Sequence, residues 1–83
     1  MKLYVVCVRD RATDSFGRPF FVPHVGEALR SFTDEVNNKD SELGRHPEDY
    51  DLFQCGTFDS DTGLFDCGTP RQMAIGKDLV KGV

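Results

Sequence analysis

The sequence predicts an α+β domain in which one amphipathic helix lies across a small, mainly antiparallel sheet of three to four strands. Three observations carry this. Val25, Ala28, Leu29, Phe32 and Val36 recur at offsets of three, four, seven and eleven, one helical stripe, while Glu27, Arg30, Ser31, Asp34 and Glu35 take the outer face. No other segment has a clear helical period. The remaining apolar residues stand in short runs of strand length, and two of these runs flank Asp59-Ser60-Asp61-Thr62-Gly63, a five-residue turn sequence ending in glycine.

Leu3 to Val8 is continuously apolar and β-branched without polar alternation, as a strand covered on both faces requires, so it is expected in the middle of the sheet. Lys2 and Arg9 then mark where the strand leaves cover. Arg9 to Arg18 carries Asp10, Thr13, Asp14, Ser15 and Gly17 and reads as an exposed loop. Phe20-Phe21-Val22, fenced by Pro19 and Pro23, suits an edge strand, and alternation puts Phe20 and Phe21 on opposite sides. Either a partner covers the one that the helix does not, or that one is partly exposed.

The helix is expected over Val25 to Asn38, with His24 at the N-cap and Leu29 and Phe32 supplying the core. A polar run from Asn38 to Arg45 follows, and Pro47-Glu48-Asp49-Tyr50 forms one turn that returns the chain to the sheet. Pairing Phe58 with Leu64 sets Thr57 opposite Phe65 and Cys55 opposite Cys67. One face of the hairpin then carries Phe53, Cys55, Phe65 and Cys67, the other Leu52, Phe58 and Leu64. One helix covers one face, so the second face is an expected partner or self-association surface. Thr69 to Ile75 adds an edge strand, and Gly76 to Val80 a last turn packed by Leu79 and Val80.

Length and composition bound the rest. A chain of 83 residues is one domain, 1–83, close to the size at which a single core is marginal, so a homo-oligomer, a dimer, is expected. Hydrophobic residues make up 39% and charged ones 29%, the balance of a folded globular protein. The net charge of −4 argues against affinity for nucleic acid by bulk phosphate neutralisation and leaves room for a local basic site. The apolar run at the start is shorter than a signal peptide needs and far shorter than a bilayer span, which points to a cytoplasmic protein without a membrane partner. Three cysteines, Cys7, Cys55 and Cys67, an odd number, fit reduced thiols.

No chemistry-bearing motif emerges. There is no CxxC or HxxxH pair for a metal, and Asp59 to Gly63 lacks the remaining acidic ligands of a calcium loop. Neither His24 nor His46 has a nucleophile beside it, and no glycine loop cradles phosphate. The expectation is a protein that is not an enzyme and carries no cofactor. The one constellation suited to nucleic acid is Arg9, Arg11, Phe16, Arg18, Phe20 and Phe21, basic and aromatic residues close in sequence, the combination that stacks bases and tracks a single-stranded backbone.

Four stretches in order look familiar: Val8-Arg9-Asp10 ending the first strand, Pro19 to Val22, Gly26 to Thr33, and His46-Pro47-Glu48-Asp49-Tyr50-Asp51-Leu52-Phe53 leading into Gly56-Thr57-Phe58-Asp59. Over about residues 3–66 this order resembles the small non-structural protein of gokushoviruses, tailless phages of the Microviridae with single-stranded DNA genomes. None of the matching motifs is catalytic, and they read as fold-defining positions. The resemblance implies a role in the switch from double-stranded replication to single-stranded genome synthesis and packaging in the host cell cytoplasm, with DNA binding. The alternative is an adaptor or inhibitor that engages a viral replication initiator, a procapsid or a host replication protein.

Overall fold

The computed structural model describes residues 1–81. β1 (Lys2–Asp10) is the interior strand, with Val5, Val6 and Cys7 buried. β2 (Ser15–Phe16) and β3 (Phe20–Val22) pair antiparallel with the two halves of one side of β1, and β4 (Tyr50–Asp59) pairs antiparallel along the other. β5 (Leu64–Ile75) pairs with the outer side of β4, so the sheet has five strands in the order β2-β1-β4-β5 with β3 beside β1. Lys2 and Arg9 lie within the ladder instead of marking its ends, because pairing with Asp59 and Asp51 continues past the apolar run. Part of the expected loop after Val8 is likewise ladder: Arg9 and Asp10 pair with Phe16 and Ser15.

α1 (Val25–Val36) lies on one face of this sheet and builds the core: Ala28, Phe32 and Val36 bury against Val6 and Leu52. His24 occupies the N-cap position with extended backbone, but its side chain makes no capping bond. Leu29, expected in the core, is 38% exposed. The sheet is narrow, and contact is confined to the stripe i, i+4, i+8 through Ala28, Phe32 and Val36, which turns Leu29 to the flank. Asn37 ends the helix and ties the tail to it: Nδ2 donates to the carbonyls of Thr33 (2.8 Å) and Leu79 (3.0 Å), and Oδ1 accepts from the Lys81 amide (2.8 Å). Leu79 packs on the core, whereas Val80 stays exposed.

The polar run after the helix contains an element that its sequence concealed, α2 (Glu42–Arg45). Four residues are too few for an apolar stripe. The helix forms through its cap, the Ser41 hydroxyl accepting from the Gly44 amide at 3.1 Å, and Leu43 reaches the core. A 3₁₀ turn over Pro47–Asp49, with Pro47 at its start as the sequence predicts, then delivers the chain to β4.

The hairpin differs from expectation by one residue. Phe58 pairs with Phe65, Asp59 with Leu64, Thr57 with Asp66 and Gly56 with Cys67, so Cys55 does not face Cys67. Phe58 therefore joins Phe53, Phe65 and Cys67 on one face instead of Leu52 and Leu64 on the other. The turn accounts for the shift: the Asp59 carbonyl accepts the Gly63 amide at 2.7 Å and Gly63 takes φ +77°, so Asp59 and Leu64 close the loop. The expected separate edge strand is the second half of β5, continuous with Leu64 to Cys67.

Both ladders of β4 are irregular at the same residue. Val5 pairs with Gly56 and Val6 with Gln54, leaving Cys55 without a partner in β1; Gly56 pairs with Cys67 and Gln54 with Arg71, leaving Gly68, Thr69 and Pro70 without partners in β4. At this bulge β5 crosses so closely that a side chain on Gly56, at φ +156°, would sit 2.6 Å from the Cys67 Cα and against the Asp66 carbonyl. Glycine at this position is a packing requirement.

Two substitutions separate core from flank. Phe32→Ala should cost about 3–5 kcal/mol of unfolding free energy and Leu29→Ala about 1 kcal/mol or less, measured by urea denaturation followed by circular dichroism. Gly56→Ala should lower stability by about 1–3 kcal/mol, since the backbone of β5 must move to admit a methyl group. A neutral Gly56→Ala would contradict the close approach.

Candidate functional site

Cross-strand partners share a face of the sheet, so the register states which residues lie opposite the helix. Leu3, Val5, Cys7 and Arg9 of β1 face away from α1, and their partners there are Phe58, Phe21, Phe53 and Phe16. Phe65 joins through Phe58. Five of the seven phenylalanines thus lie on the helix-free face. They form two groups. Phe16 and Phe53 meet edge to face with centroids 5.2 Å apart; Phe21, Phe58 and Phe65 form a triangle with centroid distances of 5.5, 4.7 and 6.1 Å. Edge-to-face geometry sets the positive ring edge against the negative face of its neighbour. Phe16, Phe21 and Phe65 remain 46%, 43% and 60% exposed, so each group presents open ring surface.

The six residues singled out in the sequence separate. Arg9, Phe16 and Phe21 come together on this face, whereas Phe20 points the other way and packs against the core. Arg9 pairs with Asp14 across the turn before β2, and its guanidinium stands 6.0 Å from the centre of the Phe16 ring. Arg11 is held by Asp51: Nε donates to Oδ2 at 2.8 Å and Nη2 to Oδ1 at 3.4 Å, while the Arg11 amide donates to the Asp49 carbonyl at 2.7 Å. Asp51 is 2% exposed, so its carboxylate is removed from water and relies on this partner, and the hydrogen bond raises the Arg11 pKa further. Arg18 is exposed and is the one of the three arginines without a carboxylate partner among the described residues. Two of the three expected phosphate-seeking charges are therefore already neutralised within the molecule.

Phe53, Phe58 and Phe65 belong to the face and were not among the expected site residues. The signal that finds them is the hairpin register, and a slip of one residue sends Phe58 to the wrong side.

The thiols also pair differently from the sequence reading. The Sγ atoms of Cys7 and Cys55 are 3.0 Å apart, because the bulge turns Cys55 towards β1. Burial, reinforced by the Cys55 hydrogen bond, pushes the Cys7 thiol up to about 12. Cys67 is exposed at the β5 edge. His46 lies apart from the cysteines, grouped with Glu48 and Asp49 on the return turn, their ligand atoms within 4.8 Å of one another. Exposed acidic groups of this kind are common without an ion.

The fold and its faces define a small α+β protein whose main helix covers one side of a sheet and whose aromatic residues cover the other. Residues 3–79 match the family described as Phage ORF5 protein, and the chain belongs to that family. It is 39% identical to Protein ORF5 of Chlamydia phage 1 over 70 residues, 78% of this chain and 72% of that protein. Chlamydia phage 1 is a gokushovirus of the Microviridae, so the family indicated by the sequence motifs is the one matched. No solved structure matches the chain.

The thiol environments give a measurable order of reactivity. At pH 8.5, Cys7, with its pKa near 12, holds about a thousandfold less thiolate than an ordinary cysteine. Iodoacetamide labelling followed by mass spectrometry should modify Cys67 first and Cys7 last. Because the folded value lies above the unfolded one, the contribution of Cys7 to stability is complete below about pH 8.5 and declines as pH rises towards 12. Equal labelling rates for the three thiols would contradict the burial of Cys7.

Proposed function

We propose that this phage protein acts in the passage from double-stranded replication to single-stranded genome synthesis and packaging, by binding single-stranded DNA across the helix-free face of its sheet. The observation that carries the reading is the five-phenylalanine face, with Phe16, Phe21 and Phe65 open to solvent and Arg9 beside Phe16. A sheet with a helix behind it and exposed aromatic rings in front is a surface on which unpaired bases stack, each contributing about 1–3 kcal/mol. The stage of the phage cycle rests on the resemblance in genome role. Action is by binding in the host cell cytoplasm, without catalysis or a cofactor.

The electrostatics assign the work to stacking. The chain carries a net charge of −4, and Arg9 and Arg11 are paired to carboxylates, which leaves Arg18 as the free cation of the first loop among the described residues. With one or two phosphate contacts, the logarithm of affinity should fall with the logarithm of salt at a slope of about −0.7 to −1.4. The same acidity favours a second reading, in which the open face engages a viral replication initiator, a procapsid or a host replication protein.

Fluorescence anisotropy of a labelled single-stranded oligonucleotide, with duplex as competitor, separates these readings. Saturable binding that prefers single strands and has a shallow salt slope is expected. Phe21→Ala and Phe65→Ala should each weaken it about 5- to 150-fold, the equivalent of one lost stack. Failure to bind at low salt, where phosphate contacts are strongest, overturns the DNA reading and leaves the adaptor.

A further inference from the structure

We infer that the outer edge of β5 pairs with β5 of a second copy of this chain, antiparallel about a two-fold axis between Gly68 and Thr69. β5 ends the sheet order and is exposed at every residue from Leu64 to Gln72, a row of backbone donors and acceptors with no strand beside it among the described residues. Such an edge is a template for another strand. A two-fold axis makes the contact isologous, the same segment on both sides, so the segment must be complementary to its own reverse.

The charges of β5 meet that condition. Asp66 and Arg71 are the charged residues of the exposed stretch. Asp66 pairs with Thr57 and so with Tyr4, and Arg71 with Gln54 and so with Val6, which places both on the helix side of the sheet. By simple alternation, residues five apart fall on opposite faces. Here the bulge at Gly68, Thr69 and Pro70 restores them to the same one. In the two-fold register, Asp66 of each copy faces Arg71 of the other, giving two symmetric opposite-charge pairs. Asp66 makes no ion pair among the described residues, and Arg71 uses one Nη2 bond to Gln54 (3.0 Å), leaving its remaining donors available.

The Asp66 carbonyl lies against Gly56 of β4, so Asp66 meets Arg71 of the second copy as a non-hydrogen-bonded pair, in which facing side chains stand closest, and the pairing forgoes the bond that Pro70 cannot donate. A perpendicular two-fold axis also leaves both helix-free faces on the same side, so the aromatic groups of the two copies form one continuous surface. The pairing rests on the edge geometry and stands or falls without the DNA reading.

Sedimentation of the DNA-free protein tests it with charge reversal. The unaltered chain should be a dimer. Asp66→Arg sets Arg against Arg and Arg71→Asp sets Asp against Asp, so each variant alone should dimerise about tenfold or more weakly. An equimolar mixture of the two regains both opposite-charge pairs and should form the heterodimer, as should the double variant with itself. Circular dichroism checks that each variant folds, and Asp66→Arg breaks no side-chain hydrogen bond or ion pair among the described residues. A monomeric unaltered chain at millimolar concentration overturns the proposal. So do single variants that remain dimeric, or a mixture that stays monomeric.

Discussion

One helix of twelve residues has to supply the core of a sheet that has two faces. This mismatch shapes everything else in the molecule. On the covered side, Ala28, Phe32 and Val36 meet Val6 and Leu52 and bury them completely or nearly so. On the uncovered side, burial has to come from the sheet itself. Val5 and Cys7 are buried there because Phe21, Phe53 and the bulged Cys55 stand around them. The aromatic rings are the cover, and a cover made of single rings leaves their outer surfaces in water.

The electrostatic arrangement follows the same economy. A buried carboxylate is costly unless it is paired, and Asp51 at the start of β4 is satisfied by Arg11 from the loop after β1. The pair fastens that loop to the return turn and removes a charge from the set that a polyanion could meet. Arg9 is similarly occupied by Asp14. At the other end of the molecule, the amino group of Met1 reaches Asp59 and Asp61 in the hairpin turn, and the backbone and amino-terminal bonds it accepts hold the Asp59 carboxyl below its usual range. With Arg9 and Arg11 committed to internal partners, the aromatic surface and the exposed β5 edge stand out among the open features of the described residues.

Much of the site was legible in outline and misplaced in detail. An aromatic and basic first loop was visible in Arg9, Phe16 and Phe21, and all three do share a face. Proximity in sequence groups Phe20 with them, although alternation sends it to the core. The apolar pattern puts Phe58 on the wrong face because the hairpin closes at Asp59 and Leu64, one residue from the pairing that the pattern suggests. The pattern carried no information on this point, since both registers bring apolar residues together.

By itself the sequence determined the interior strand, the main helix with its Ala28–Phe32–Val36 stripe, the proline turn and the hairpin, together with the family to which they belong. These features depend on local periodicity and on residues with restricted backbones, and both are written in consecutive positions. The tertiary structure alone decided which phenylalanines form the open face, that Arg11 is occupied by a carboxylate 40 residues away, and that Cys55 meets Cys7. A strand has a period of two, so one bulged residue or one step of register reverses every side chain beyond it. Those steps are set where strands cross, at Gly56 against Cys67. No stretch of consecutive residues contains that contact.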